Sequence, residues 1–269
     1  MSKSDQNSER LTEVRQKFEA PQWYLHGRSY HVRVRTGVVG HLLANQKIEN
    51  ILDIGCGDGS ISVPLLQQGR KLTLLDMSES MLSIAQSRVP ANLAGAVQVV
   101  NGDILGAKLP EGAFDVVICL GVFAYFKTEW PLIDKLNSLL KPGGTLIVEC
   151  SDSAHFMSGL MRTYDRLKGM LIRQQFKTNA HAAATLVSGL TAAGFQKVGS
   201  YRYCAPTRVS RKLFPQSFHF WKIKALFGNA ERPRSQWLGN ECIFWFKKES
   251  KSAKRESANR TLETAEASA

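Results

Sequence analysis

Residues 51–59 read ILDIGCGDG, an apolar run followed by three glycines at alternate positions. The run Ile51 to Ile54 is typical of a buried strand. Because glycine has no side chain, Gly55, Gly57 and Gly59 let the backbone turn sharply and let a ligand approach it closely. We therefore expect a strand, then a ligand-binding loop, then a helix.

The spacing of these glycines bears on which nucleotide the loop can take. A dinucleotide-binding loop has the pattern GxGxxG, and Ser60 stands here where that pattern requires its third glycine. The observed spacing, GxGxG, argues against a nicotinamide dinucleotide. A plain tight turn without a ligand is the alternative interpretation of the loop.

Acidic residues follow the next two predicted strands. Asp76 ends the strand at 72–75, and Asp103 follows the strand at 97–100. A carboxylate at the end of the second strand can accept hydrogen bonds from both hydroxyls of a ribose, and Asp103 could hold an adenine amino group. Either residue could instead cap a helix. With the glycine loop after the first strand, residues suited to an adenosine-containing ligand thus follow three successive predicted strands, which favours such a ligand.

The whole pattern predicts an α/β fold with a doubly wound, mostly parallel seven-stranded sheet and helices on both faces. Strands are expected at 51–54, 72–75, 97–100, 114–120, 145–150, 195–203 and 241–247, and helices at 61–68, 80–88, 130–140, 155–176 and 182–193. Residues 206–239 are basic, aromatic and without a regular pattern, so we expect them to be irregular.

We expect one domain over residues 21–247, with lid-like additions at 21–45, 151–180 and 206–239. The polar segment 1–20 is expected to be partly helical, and residues 248–269, rich in Ser, Ala, Lys and Glu, to be disordered.

Composition excludes several classes of protein. The 269 residues are 43% hydrophobic and 22% charged, which is globular composition. The longest apolar run, 116–126, is shorter than the roughly 18 to 20 residues that cross a bilayer. The first 20 residues lack the apolar core of a secretory signal. Five cysteines without CxxC spacing argue against a disulfide framework or a metal site, so we expect a cytoplasmic protein without a metal.

Positive charge is concentrated outside the regular part of the sequence. Residues 51–150 carry 7 basic and 10 acidic side chains, whereas residues 206–239 carry 7 basic and 1 acidic. An anionic partner and a merely solvated basic surface both explain this distribution.

These motifs together resemble the class I S-adenosylmethionine-dependent methyltransferases of the small-molecule type. The resemblance covers about residues 48–150, including DIGCGDG at 53–59, FDVVICLGVFAY at 114–125 and KPGG at 141–144. It implies a Rossmann-like fold and S-adenosyl-L-methionine (SAM) as cofactor. It also implies the cofactor contacts: Asp53 on the amino group, Gly55, Cys56, Gly57 and Gly59 under the methionine part, Asp76 on the ribose, Met77, Asp103 and Ile104 on the adenine, and Leu120 and Gly121 at the methionine end.

Residues around the expected methyl acceptor are aromatic, basic or titratable. Tyr125, Glu149 and His31 are candidates for taking a proton or positioning the acceptor, and ordinary core packing is the alternative for each. Candidate acceptor-binding residues, taken from the additions and from the turn after the fourth strand, are Tyr24, Arg28, Tyr30, Phe123, His155 and Trp221.

The expected function is methyl transfer to a small, partly apolar and possibly anionic metabolite, of natural-product, isoprenoid, quinone or tetrapyrrole type. Residues 120–123 read LGVF rather than Asn/Asp-Pro-Pro-Tyr/Phe, which argues against methylation of adenine or cytosine nitrogens. Two alternatives stay open: an RNA methyltransferase that binds phosphates through the basic additions, and a catalytically silent SAM-binding protein. Residues 206–239 could also contact a membrane surface.

Overall fold

A computed structural model describes residues 29–160, 163, 179, 181–206, 210 and 213–250. The expectations for residues 1–20 and for the end of the chain from 251 lie outside these residues. So does most of the expected helix at 155–176, of which residues 156–160 are described and helical.

Seven strands form one sheet in the order β3-β2-β1-β4-β5-β7-β6. The strands are β1 (Asn50–Ile54), β2 (Lys71–Asp76), β3 (Val97–Asn101), β4 (Phe114–Cys119), β5 (Leu140–Ser151), β6 (Phe195–Tyr203) and β7 (Glu241–Lys248). Only β7 is antiparallel to its neighbours, β5 and β6. The predicted mostly parallel seven-stranded sheet is therefore confirmed.

The helices lie on both faces of this sheet. They are α1 (Ser29–Leu43), α2 (Glu79–Ser87), α3 (Trp130–Leu139), α4 (Ala183–Ala192) and α5 (Gln216–Phe227). Alternate strand residues point to opposite faces, so each strand contributes to two separate clusters. Ile51 packs with α1, α2 and α5, whereas its neighbour Leu52 packs with α3 and α4.

The strand order reverses beside β1, because β2 pairs with one edge of β1 and β4 with the other. In open α/β sheets, ligands bind at the carboxyl ends of the strands beside such a reversal. The glycine loop follows β1 and therefore lies at this position.

The predicted helix at 61–68 is wrong. The structure has one 3₁₀ turn, Val63–Leu65, and Leu66 already has an extended backbone. Pro64 has no amide hydrogen to donate. The Arg70 guanidinium donates to the carbonyl oxygen of Leu65 at 2.9 Å, which supplies the partner that a continuing helix would otherwise provide.

The expectation that residues 206–239 are irregular is also wrong, because they contain α5 and a 3₁₀ turn, Gln236–Leu238. His219, Ile223 and Phe227 recur every four residues and are buried. Further aromatic residues lie on the other side of the helix and mask this periodicity in the sequence.

Helix α5 is fixed at its side and at its end. The Arg33 guanidinium of α1 stacks on the Phe220 ring at 3.9 Å. Gly228 ends the helix with φ +70°, and its carbonyl oxygen accepts a hydrogen bond from Tyr201 at 3.1 Å. A Cβ atom at Gly228 would lie 2.1 Å from the Arg232 carbonyl oxygen, so only glycine fits there.

We expect Gly228→Ala to lower the free energy of unfolding by about 1–3 kcal/mol, because alanine is strained at this φ and collides with backbone. Urea denaturation measures the change. Gly37→Ala is the control: Gly37 is an exposed position of α1 where an added Cβ would have no other atom within 4 Å, and alanine should stabilise it by about 0.5–1 kcal/mol. Equal stability of Gly228→Ala and the wild type would contradict the assignment.

Candidate functional site

The glycine loop is held between β2 and the turn after β4. The amide groups of Gly55 and Cys56 donate to the carbonyl oxygen of Leu75 at 2.8 and 3.1 Å. Gly55, Gly57 and Gly59 all have positive φ. A Cβ atom at Gly55 would lie 2.7 Å from a methyl carbon of Val122, so the loop approaches that turn too closely for a side chain.

Asp76 fixes this loop from the end of β2. One carboxylate oxygen accepts from the Gly57 amide at 2.8 Å, and the other accepts from the Ser78 amide at 2.9 Å. The Ser78 hydroxyl in turn accepts from the Met81 amide and caps α2. Asp76 therefore has a structural role besides the ribose contact, which stays a prediction. An ionised carboxylate has further lone pairs for such a contact.

Asp53 is a buried carboxylate at the end of β1. Among the residues that the structure describes, its Oδ2 atom has no hydrogen-bond partner. The pKa of Asp53 is raised to about 7, chiefly by burial and to a smaller extent by the charge of Asp76, while the nearby Ser62 hydroxyl and the charge of Arg35 act in the opposite direction. A buried acceptor without a donor is costly, so the site fits a ligand that brings a positively charged N–H group. The amino group of SAM meets that requirement.

The other predicted cofactor residues come from the ends of the neighbouring strands. After β3, the Asp103 carboxylate accepts from the Leu105 amide at 3.2 Å, and Ile104 is buried. Met77 is half-buried directly after β2. Cys56 is buried, and burial raises the pKa of its thiol well above the usual value, so it stays a neutral thiol. Leu120 is buried after β4.

Four buried side chains form a polar network beside the turn after β4. The Arg35 guanidinium of α1 makes a two-pronged ion pair with Glu149 of β5. The Tyr203 hydroxyl, at the end of β6, donates to Glu149 Oε1 at 3.1 Å. His31 Nδ1 of α1 lies 2.6 Å from the same hydroxyl. Two of the three candidates for proton transfer, His31 and Glu149, are thus joined through Tyr203.

This network borders the expected methionine end of the cofactor. Gly121 has φ +75°, and a Cβ atom there would lie 3.0 Å from Arg35 Nη2 and 3.7 Å from Glu149 Oε2. Because Gly121 has no side chain, the turn and the ion pair can lie in contact. The network is therefore in contact with the turn that contains Leu120 and Gly121, for which the methionine end of the cofactor stays a prediction.

The hydrogen bonds define where the protons of the network lie. The Tyr203 hydroxyl donates its one hydrogen bond to Glu149. In the hydrogen bond between Tyr203 and His31, the donor is therefore the N–H group at His31 Nδ1. Neutral His31 then carries its lone pair on Nε2. Burial, with the negative charge of Glu149, raises the pKa of Tyr203 well above its usual value. Tyr203 therefore stays protonated and holds one tautomer of His31.

The structure does not bring every predicted acceptor residue to this network. Phe123 is fully buried in the cluster on the opposite face of the sheet, and Tyr125 is half-buried in the same 3₁₀ turn. The His155 ring donates to the Trp237 carbonyl oxygen and accepts from the Met157 amide.

The remaining predicted acceptor residues differ in their surroundings. Tyr30 is buried, with its ring centre 4.5 Å from that of His31. Trp221 is exposed on the outer side of α5. Tyr24 and Arg28 lie outside the described residues.

Sequence analysis missed Tyr203 and the pairing of Arg35 with Glu149. One signal was available for the pairing. Arg35 lies four residues after His31 and between the apolar residues Val34 and Val38, which α1 buries. A charged residue on a buried helix face needs a partner of opposite charge. The sequence pattern does not show that this partner is Glu149 of β5.

Two kinds of feature are absent from the described residues. No group of three or more His, Cys, Asp or Glu side chains there could hold a metal ion. No helix in that part of the chain is both long enough and apolar enough to cross a membrane.

Comparison with known sequences identifies the central part of the chain. Residues 51–144 match a family model described as a methyltransferase domain. The methyltransferase YqeM of Bacillus subtilis is 36% identical over 107 residues, which are 38% of this chain and 42% of that protein. The ubiquinone biosynthesis O-methyltransferase of Pseudomonas aeruginosa is 31% identical over 101 residues, 37% of this chain and 43% of that protein. The chain thus matches less than half the length of these two curated relatives.

Comparison with solved structures extends over most of the chain and shows the fold. The magnesium protoporphyrin IX methyltransferase of Synechocystis, solved with S-adenosylhomocysteine, has a TM-score of 0.60 at 20% identity and covers 89% of this chain and 99% of that one. The N-methyltransferase NodS of Bradyrhizobium japonicum, also solved with S-adenosylhomocysteine, has a TM-score of 0.59 at 17% identity, covering 88% of this chain and 98% of that one. The predicted Rossmann-like fold is therefore confirmed.

Asp53→Asn should stabilise the ligand-free protein and weaken its binding of S-adenosylhomocysteine. The pKa of Asp53 is higher in the folded protein, about 7, than the ordinary value of 3.8, so the free energy of unfolding falls as the pH rises from about 4 to 7. At pH 8, asparagine should recover up to about 4 kcal/mol of this loss. Loss of a charged hydrogen bond should weaken binding by about 10- to 150-fold. Thermal unfolding and calorimetry measure the two effects.

The control is Asp115→Asn, the same substitution at a paired carboxylate. Burial disfavours ionisation of Asp115, but hydrogen bonds from Lys141 and from the amides of Asn50 and Glu49 lower its pKa overall. Its removal should therefore destabilise the protein at pH 8 and leave ligand affinity unchanged. If Asp53→Asn instead lowered the unfolding temperature at pH 8 without any effect on binding, the assignment of Asp53 would be wrong.

Proposed function

We propose that this protein transfers a methyl group from SAM to a small, partly apolar acceptor. The proposal starts from the match of residues 51–144 to a family model described as a methyltransferase domain. The observation that carries the proposal is the buried Asp53 carboxylate beside the glycine loop, with an oxygen that no described protein group satisfies. When bound, SAM supplies a methyl group on a positively charged sulfur, which is already an excellent leaving group.

The chain's own residues bind and orient both reactants. Asp53 would hold the amino group of the cofactor, Asp76 its ribose, and Asp103 with Ile104 its adenine. Residues 51–150 have a net charge of −3, from 7 basic and 10 acidic side chains, which favours a cationic ligand over an anionic one. Gly121 has no side chain, which lets the turn after β4 lie against the Arg35–Glu149 pair.

The buried network would take up a proton from the acceptor. His31 is held in one tautomer by Tyr203, and a positive charge on its ring would be stabilised by the negative charge of Glu149, which it reaches through Tyr203. Arg35 fixes the orientation of Glu149. The arrangement suits a hydroxyl or amine acceptor, each of which loses a proton when it is methylated, whereas a carboxylate acceptor is already ionised near neutral pH and needs no proton acceptor. Tyr125 remains a candidate for positioning that acceptor.

Several observations support a small and partly apolar acceptor. Tyr30 places a buried aromatic ring beside His31, and relatives of the domain include ubiquinone biosynthesis O-methyltransferases. A structural neighbour is a magnesium protoporphyrin IX methyltransferase. We therefore propose a metabolite of natural-product, isoprenoid, quinone or tetrapyrrole type.

The test is a screen with isotopically methyl-labelled SAM, small-molecule extracts and total RNA, with products identified by mass spectrometry. The expected result is a labelled small molecule heavier than its precursor by one CH₂ group. Asp53→Asn protein serves as the control and should form much less product. Label in RNA alone would refute the small-molecule proposal. Binding of S-adenosylhomocysteine without transfer to either pool would indicate a silent SAM-binding protein.

With an acceptor identified by this screen, Tyr203→Phe should lower kcat by about 10- to 100-fold. Loss of a group that orients a functional histidine typically has an effect of that size. The acid side of the pH profile of kcat should change, since His31 loses its connection to Glu149. The affinity for S-adenosylhomocysteine should not change.

Tyr201→Phe is the matched control. Tyr201 lies two residues earlier in β6, and its hydroxyl donates to Gly228 rather than to the network. It should leave kcat and its pH profile unchanged. Equal kcat values for the two variants would show that Tyr203 is only a packing residue.

A further inference from the structure

Helix α5 carries a continuous row of exposed aromatic side chains. Phe214, which precedes the helix, and Phe218 and Trp221 within it are 46%, 36% and 63% exposed. Their rings stack in sequence, with centres 4.8 Å apart between Phe214 and Phe218 and 5.9 Å apart between Phe218 and Trp221. Phe218 and Trp221, three residues apart, lie on one side of α5, and Phe214 stacks on Phe218 from the segment before the extended Pro215. We refer to these three residues as the aromatic stripe.

The side of α5 opposite the stripe is already packed. His219, Ile223 and Phe227 are buried, and the His219 ring lies edge-on to Tyr30 of α1. The helix is therefore apolar on two opposite sides, and the described residues cover only one of them. Exposed apolar patches of this kind typically bind another protein or a membrane.

The charges around the stripe indicate which kind of partner it binds. Lys222 and Lys224 are both exposed and lie on either side of the stripe, and α5 contains no acidic residue. Residues 206–239 as a whole carry 7 basic and 1 acidic side chains. The complementary surface is apolar in its interior and negatively charged at its boundary.

We propose that α5 lies on an anionic lipid membrane, with the aromatic stripe inserted at the level of the headgroups and Lys222 and Lys224 against the lipid phosphates. Tryptophan and phenylalanine on one side of a surface helix, bordered by lysines, are the features that such interfacial helices share. The negative surface potential of an anionic membrane attracts lysines that lie close to it. The proposal concerns binding alone and does not depend on the reaction.

Two other occupants fit these residues less well. A second copy of the chain would bring two segments of net charge +6, from 7 basic and 1 acidic residues, against each other, and like charges oppose association. A single-stranded nucleic acid stacks its bases on exposed aromatic rings, but the rings of the stripe stack on one another, so their faces are already partly occupied. Binding to lipid vesicles distinguishes a membrane from both.

The test is flotation of the full-length protein with vesicles of phosphatidylcholine alone and of phosphatidylcholine mixed with phosphatidylglycerol. The wild type should bind the mixed vesicles, with binding that weakens as salt is added. Trp221→Ala should reduce binding by roughly 10-fold or more, because it removes the most exposed apolar side chain of the stripe from the membrane. Lys222→Gln with Lys224→Gln should reduce binding to the mixed vesicles and abolish their preference over phosphatidylcholine.

Trp130→Ala is the matched control, because Trp130 is 52% exposed but begins α3 on the other face of the sheet. It should bind vesicles like the wild type. Equal vesicle binding by Trp221→Ala and the wild type would overturn the proposal. So would a dimer that Trp221→Ala dissociates, or binding of single-stranded polyuridylate, if either occurred without vesicle binding by the wild type.

Discussion

An unsatisfied carboxylate is the constraint on which the site depends. Asp53 is buried at the end of β1, where its charge is costly, and Asp76 next to it adds a second negative charge while it holds the glycine loop in place. Each acid raises the energy of the other in the absence of a ligand. A cation that enters this crevice would offset both the cost of burying the Asp53 charge and the repulsion between Asp53 and Asp76. Because these two costs are present only without the cation, their removal favours its binding.

Arg35 joins the two halves of the site. Its guanidinium is paired with Glu149, yet its charge also acts on Asp53 and opposes the increase in the pKa of that residue. It therefore lies between the acids of the cofactor crevice and the network that contains His31 and Tyr203. Replacement of this one side chain would affect both the proposed cofactor contact of Asp53 and the hydrogen-bonded network, so helix α1 contributes to the candidate site as well as covering the sheet.

The parts of the structure that depend on neighbouring residues were predictable from the sequence, and those that depend on distant partners were not. The glycine loop, the position of Asp76 at a strand end and the succession of strands and helices follow from local pattern, since turn chemistry and periodicity act over a few residues. Tyr203 and Glu149 lie 54 residues apart, and Arg35 and Glu149 lie 114 apart, so no local pattern indicates their contact. The helix expected at 61–68 failed because Arg70 ends it from outside, and α5 was missed because both of its sides are apolar.

The position of β7 has a consequence for the order in which the site forms. Tyr203 reaches Glu149 only because β7 lies between β6 and β5 and pairs with both. That strand is Glu241–Lys248, the last in the described part of the chain, whereas His31 belongs to the first described helix. During synthesis β1 to β4 leave the ribosome before β7, but the contact between Tyr203 and Glu149 can form only when this last described strand lies between β6 and β5. A nascent chain would thus carry the residues proposed to bind the cofactor before it completes the network proposed to accept a proton.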